Sequence, residues 1–425
     1  MYSKGLRNLF KKKRIEIGDK IKILKKNKEY IGILMPRTMG DEEIVIIKLD
    51  NGYNIGIRSN EIELISKFKK IKPLPKQNII RNPKKPNISI LSMGGTISSK
   101  IDYKTGAVTP LFSPEDLIKA IPELGEIANI DGRQITSVLS EDMTFDLYEK
   151  LITEIKKELK KDINGIIITH GTDTLHFTAA ALSFAIENSP IPIILVGSQR
   201  SSDRASSDGP MNLLCAVHFI SKTKYSDIGI CMHGTESDNF CLIYPPCKTR
   251  KMHTSRRDAF KTVNSEPIAF VYTNGDVKFI QKYSDREGKP KIKNKFEHKV
   301  ALIKTYPDMD SRIIDVLTKN KYKGIVLEGT GLGHAPLKLR ESLKEFLKKG
   351  IIVMTSQCLN GRVNMNIYSS GRELQEIGVI SGKDMLPEVA FIKLSWLLAN
   401  YKKREEIEKL IGINLRGEIN ERSQF

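Results

Sequence analysis

Two aliphatic runs, each ending in a glycine-threonine turn, constrain this chain more than anything else in it: Ile88 to Ile97 (ISILSMGGTI) and Gly165 to Thr174 (GIIITHGTDT). Neither run alternates polar with apolar residues, so neither suits a strand with one wet face. Such runs belong to buried strands of a sheet covered by helices on both sides. An open α/β sheet binds ligands beyond the carboxyl ends of its strands, where both turns fall. The second run leads into Leu175 to Glu187 (LHFTAAALSFAIE), whose alanines and apolar spacing predict a buried helix with N–H groups at its start facing an anion.

A threonine hydroxyl attacks a carbonyl only when a base takes its proton and donors hold the oxyanion. Thr96 follows Gly94 and Gly95, which let the backbone approach a substrate closely and adopt positive φ. Thr172 and Asp173 share the second turn, and a lysine desolvated beside that aspartate would supply a base. Taken alone, either turn reads as a loop with a capping hydroxyl. The two together, at equivalent strand ends, point towards a site.

Residues 15–65 read as short β segments (DKIKILKK, EYIGILMP, EIVIIKLDNGYNIGIR, IELI) with a hairpin turn at Asp50-Asn51-Gly52, which predicts a small SH3-like β-barrel over residues 1–65. Residues 66–86 combine lysines with four prolines and predict an extended linker. Over residues 87–283 apolar runs alternate with helical patterns, predicting a parallel sheet with helices on both faces. Its strands are expected at 88–92, 130–138, 165–169, 192–196 and 227–232, its helices near 114–121, 144–160, 172–187 and 209–223. A polar stretch at 284–299 then leads to a second α/β unit at 300–425. Strands are expected there at 300–305, 323–328 and 350–355, helices near 309–319, 337–348 and 386–400, and one more helix in the charged tail.

The chain carries 69 Lys and Arg against 50 Asp and Glu, a net charge of +19, and a surplus of that size attracts polyanions such as RNA. The competing reading spreads a lysine-rich composition over solvated surfaces. No apolar run is long enough to span a membrane, and residues 1–20 lack the core of a signal peptide, so a cytoplasmic protein is expected. Five cysteines without a framework spacing suggest reduced thiols. Cys241, Cys247, His233 and His253 fit no recurrent zinc spacing and read as buried or incidental.

MGGTI at 93–97 and HGTDTL at 170–175 resemble the two signature segments of the L-asparaginase/glutaminase family. The likeness continues through SEDM at 140–143, VGSQR and SSDGPMN between 196 and 212, KMHTSRRDAF at 251–260, EGTGLGHAP at 328–336 and SQCLNGRVNMNIY at 356–368. It covers residue 87 onward and implies an asparaginase-like two-domain α/β fold, with a larger parallel-sheet domain and a smaller carboxyl-terminal one. The basic segment before residue 87 has no counterpart in a simple asparaginase. It resembles the extra amino-terminal domain of the D subunits of archaeal tRNA-dependent amidotransferases.

The resemblance implies roles. Thr96 would be the nucleophile that attacks a side-chain amide, and Lys251, held by Asp173, would accept a proton from Thr172. Lys248, three residues earlier, is the competing lysine. Ser140 would bind the substrate α-carboxylate and Asp173 the α-ammonium, with Gly95 and Gly171 beside them. Glu141 stands where asparaginases often carry Gln, and its extra carboxylate either strengthens ammonium binding or repels the substrate carboxylate. Tyr103 is either the tyrosine that orients the first threonine or an exposed loop residue. His170 and His176 read as packing residues.

The same resemblance implies a glutaminase that passes ammonia to an amidotransferase E subunit, in a heterodimer and a dimer of such pairs, for amidation of Glu-tRNA(Gln). The amide substrate would be L-glutamine or L-asparagine. No GxxxxGK[ST] motif occurs, so no cofactor is expected on this chain, and ATP and Mg are expected at the partner. EGTGLGHAP does not match a dinucleotide fingerprint. A free cytoplasmic L-asparaginase and a non-catalytic RNA-binding scaffold are the alternatives. The complete set of two threonines, aspartate and lysine argues against the scaffold, and the extra domain, linker and charge argue against the free enzyme.

Overall fold

The computed structural model describes residues 2–36, 41–49, 54–67, 81–95, 99–101, 108–110, 118, 121–200, 206–283 and 289–422. The amino-terminal region begins with a helix, α1 (Lys4–Lys12), capped by Ser3, whose Oγ accepts from the Leu6 N–H at 3.2 Å. Five strands follow: β1 (Lys20–Lys25), β2 (Lys28–Leu34), β3 (Val45–Lys48), β4 (Asn54–Ile57) and β5 (Ile62–Ser66). They pair antiparallel in the order β4-β3-β2-β1-β5. Ile21 and Ile23 of β1 and Ile47 of β3 share one core with Leu6 and Phe10 of α1. The expected barrel is therefore not closed among the described residues, where no pairing joins β4 to β5. α1 contributes Leu6 and Phe10 to the core of this sheet.

The large sheet is built on the strands that the aliphatic runs predict. β6 (Asn87–Ser92), β7 (Asn129–Gln134), β8 (Gly165–Thr169), β9 (Ile193–Val196) and β10 (Ile228–His233) lie parallel in the order β7-β6-β8-β9-β10. Every residue of β8 is buried, and each of its three isoleucines contributes about 1.5–3 kcal/mol by leaving water. That anchoring fixes the strand end from which the second turn springs. Beyond β10 the sheet continues with three antiparallel strands that no aliphatic run announces: β11 (Phe240–Tyr244), β14 (Ala269–Tyr272) and β15 (Val277–Phe279). Between β11 and β14 the chain leaves the sheet as a separate ribbon of β12 (Thr249–Lys251) and β13 (Phe260–Thr262).

The helices described in full beside this sheet are α2 (Glu123–Ile127), α3 (Phe145–Glu158), α4 (Leu175–Ala185) and α5 (Gly209–Lys222). α3 and α4 contribute to the core on one face, α5 to the core on the other. The helix expected near 114–121 falls almost wholly outside the described residues.

The second unit holds a parallel sheet of β16 (Val300–Lys304), β17 (Gly324–Gly329), β18 (Ile351–Ser356) and β19 (Ile380–Ser381). Its helices are α6 (Arg312–Lys319), α7 (Arg340–Leu347), α8 (Ser369–Glu376), α9 (Pro387–Asn400) and α10 (Arg404–Ile411), the last being the expected tail helix. α9 packs on α4, with Trp396 stacked on Phe184 at 5.9 Å between centroids, so the two α/β units share one hydrophobic core. No helix among the described residues is long and apolar enough to cross a membrane.

Candidate active site

β6 and β8 are neighbours in register, with Ser92 opposite Thr169, so their carboxyl ends emerge side by side. The first turn is tied to the second strand: Met93 N–H donates to the Thr169 carbonyl at 3.0 Å, and Ser92 Oγ accepts from Thr169 Oγ1 at 2.8 Å and Gly94 N–H at 3.1 Å. Gly94 and Gly95 have φ of 110° and 88°, a region that favours glycine. A Cβ on Gly95 would lie 2.6 Å from the Gly171 nitrogen, and one on Gly171 would lie 2.8 Å from Ser140 Cβ. Three segments thus converge closely, Gly95 on the backbone of the second turn and Gly171 on the Ser140 side chain, leaving no room for a Cβ at either glycine. Thr96 and Tyr103 lie outside the described residues.

The second turn is held from behind by His170. Its Nδ1–H donates to the Gly171 carbonyl at 2.7 Å, while Nε2 accepts the Thr178 hydroxyl of α4 at 2.9 Å. Burial pushes this imidazole down to about 4, against the opposing backbone hydrogen bond, so it stays neutral. His176 on α4 is pushed down to about 3, by burial first and then by the charges of Arg250 and Lys251. Thr174 Oγ1 donates to the Ser140 carbonyl at 2.5 Å, which joins the turn to the one-turn helix carrying buried Ser140 and exposed Glu141.

Lys251 reaches this turn from β12. Its Nζ donates to Thr172 Oγ1 at 2.9 Å and to Asp173 Oδ1 at 2.8 Å. Thr172 is buried and Asp173 largely exposed, so the lysine bridges an interior hydroxyl and a carboxylate at the rim. As an amine it is placed to take the Thr172 proton. Lys248 points elsewhere: it is buried against Asp384, at 2.7 Å from Oδ2, and burial pulls its ammonium below the ordinary lysine value against that carboxylate's pull. A cleft of about 370 Å³ beside the bridge is lined by Asp173, His176, Arg250, Lys251, His253 and Glu388, among others. Arg250 and Glu388 were not singled out from the sequence, because nothing local marks an acid that a cation 138 positions earlier will meet.

His233 is engaged through both nitrogens, Nδ1 with Asn212 Oδ1 at 2.5 Å and Nε2 with Asp238 Oδ1 at 3.0 Å. His253 Nδ1 accepts from the N–H groups of Ser255 and Arg256 and closes a turn. Among the described residues no group of three or more His, Cys, Asp or Glu side chains is gathered as a metal site.

The family model described as Asparaginase, N-terminal matches residues 87–285, and the Glutaminase/Asparaginase C-terminal domain matches 299–411. A third, the GatD N-terminal domain, matches 15–67. The glutamyl-tRNA(Gln) amidotransferase D subunit of Pyrococcus furiosus is 47% identical over 96% of this chain and 96% of its own length. The chain belongs to the family of glutamyl-tRNA(Gln) amidotransferase D subunits. Other D subunits agree: that of Methanopyrus kandleri is 45% identical over 97% of this chain and 93% of its own, and that of Methanococcus maripaludis 47% over 96% and 99%. Among solved structures, the L-asparaginase from Thermococcus kodakarensis aligns with a TM-score of 0.72 at 30% identity, over 79% of this chain and 99% of that one. L-asparaginase I from Vibrio cholerae aligns at 0.70 and 29%, over 79% and 99%. This member of the D-subunit family thus carries an asparaginase fold with the GatD N-terminal domain ahead of it.

Proposed function

We propose that this chain is the glutamine-hydrolysing, ammonia-donating component of an amidotransferase that converts Glu-tRNA(Gln) to Gln-tRNA(Gln). The observation that carries the chemistry is the bridge from Lys251 to Thr172 and Asp173 at the strand ends. Thr96 attacks the side-chain amide carbon of glutamine, and its proton passes by way of Thr172 to Lys251. The carbon–nitrogen bond breaks, the amide nitrogen takes a proton and leaves as ammonia, and water then hydrolyses the ester on Thr96 to release glutamate. Ser140 receives the substrate α-carboxylate and Asp173 its α-ammonium, with Glu141 at the rim and Gly95 and Gly171 giving the backbone close approach. Tyr103 is assigned to orient Thr96.

Membership of the D-subunit family implies a partner subunit. We assign that partner as the amidotransferase E subunit, forming a dimer of heterodimers, with ATP and Mg bound there and Glu-tRNA(Gln) as the acceptor. An ammonia donor running at full speed alone would waste glutamine, so the isolated chain is expected to be a weak glutaminase stimulated by its partner with charged tRNA. The tRNA-dependent part should fall with salt, because each neutralised phosphate releases counterions. Ammonia release from glutamine, with and without the E subunit and Glu-tRNA(Gln) across a salt series, tests this. Full activity of the isolated chain, indifferent to both additions, favours the simple asparaginase instead.

A further inference from the structure

The strand that presents Lys251 makes few backbone pairings, although Thr249 and Phe260 of its ribbon are fully buried. β12 and β13 are three residues each and form a ribbon outside the eight-stranded sheet. A lone two-stranded ribbon is marginally stable in water. Yet Lys251 must keep its Nζ within reach of two oxygens at once, Thr172 Oγ1 and Asp173 Oδ1. A flexible four-carbon side chain does so reliably only from a fixed backbone.

Beside the buried Phe260, a second fixed point is the start of α9, in the second α/β unit. Arg250, next to Lys251, meets Glu388 of the first turn of α9 with Nη2 at 3.2 Å from Oε1. Lys248, three residues before Lys251, donates to Asp384 Oδ2 at 2.7 Å and to its carbonyl at 3.0 Å. Asp384 also accepts from Asn420 N–H at 3.0 Å, and the Asn420 amide reaches the Asn264 carbonyl just past β13 at 2.6 Å. The ribbon is thus held by groups of the second unit at Arg250 and just outside its ends, at Lys248 and Asn264.

Glu388 stands out among these grips. Its side chain is 8% exposed, its Oε2 is buried with no hydrogen-bond partner, and burial pushes its carboxyl up against the pull of Arg250. A buried, half-satisfied carboxylate is a poor way to gain stability. It does fix the residue that directly precedes Lys251.

We infer that Glu388 is a positioning residue for Lys251, acting through Arg250, so that the second unit sets where the proton acceptor meets Thr172. The inference rests on the reading of Lys251 as that acceptor. It is tested on the full chain bound to its partner, with kcat and KM for glutamine measured separately per folded molecule. Glu388→Gln should lower kcat about ten-fold or more with KM within about twofold, since misplacing a catalytic group costs turnover. Glu388→Asp should recover part of the loss. Arg250→Met, at a partly exposed position, should reproduce the loss even if Glu388→Gln folds poorly, and the double variant should be no worse than either single one. Unchanged kcat in Arg250→Met and Glu388→Gln while Lys251→Met is inactive overturns the inference and leaves the reading standing. Losses that multiply in the double variant also overturn it. Activity retained by Lys251→Met overturns the reading itself.

Discussion

Lys248 and Lys251 lie three residues apart on one segment and have opposite surroundings. Lys248 is sealed in with Asp384, both side chains almost without exposure, whereas Lys251 ends at an exposed carboxylate. Lys248→Met would leave the Asp384 carboxylate buried without its counter-charge, at a cost of about 3–5 kcal/mol in stability. Lys251→Met should leave the unfolding midpoint nearly unchanged and remove most of the turnover. Denaturant unfolding alongside ammonia release separates the two, and a greater loss of turnover per folded molecule for Lys248→Met would mean that the lysines are exchanged. Sequence alone left this choice open for a physical reason. The residue that neutralises Lys248 is 136 positions away, and no local pattern announces it. Thr172, Asp173 and Lys251 were legible because they sit in dense motifs, and the structure brings those three side chains together.

At the level of elements, the parallel strands were legible because burial on both faces demands continuous aliphatic runs. β15 and the β12–β13 ribbon were not, since strands of three residues give no period to read. α1 was hidden by its lysines, although Leu6 and Phe10 keep the i, i+4 spacing of a buried face. The junction of β8 with α4 makes a further prediction through His170. The folded state holds this imidazole at about 4 against an ordinary 6.5, so the unfolded chain takes up its proton first as the pH falls. The stability tied to its neutrality is whole above pH 6.5 and is lost towards pH 4, on the order of 3 kcal/mol, and His176 acts in the same direction. Urea midpoints measured from pH 7 to pH 4.5 should fall in the wild type and fall less steeply in His170→Gln. Parallel slopes would contradict a neutral His170.

Across the whole molecule, the shared core between α4 and α9 ties the strand ends that carry Thr172 to the unit that braces Lys251. The amino-terminal sheet and a net charge of +19 lie outside what amide hydrolysis requires, which fits a donor working on a tRNA-bound partner. If this chain only supplies ammonia, disabling its nucleophile should spare every later step. The decisive measurement compares glutamine with an ammonium salt as nitrogen source for Gln-tRNA(Gln) formation by the assembled complex carrying Thr96→Ala. The account predicts no product from glutamine, undiminished product from ammonium, and partial recovery with glutamine in Thr96→Ser. Continued synthesis from glutamine, or loss of synthesis from both sources, would contradict it.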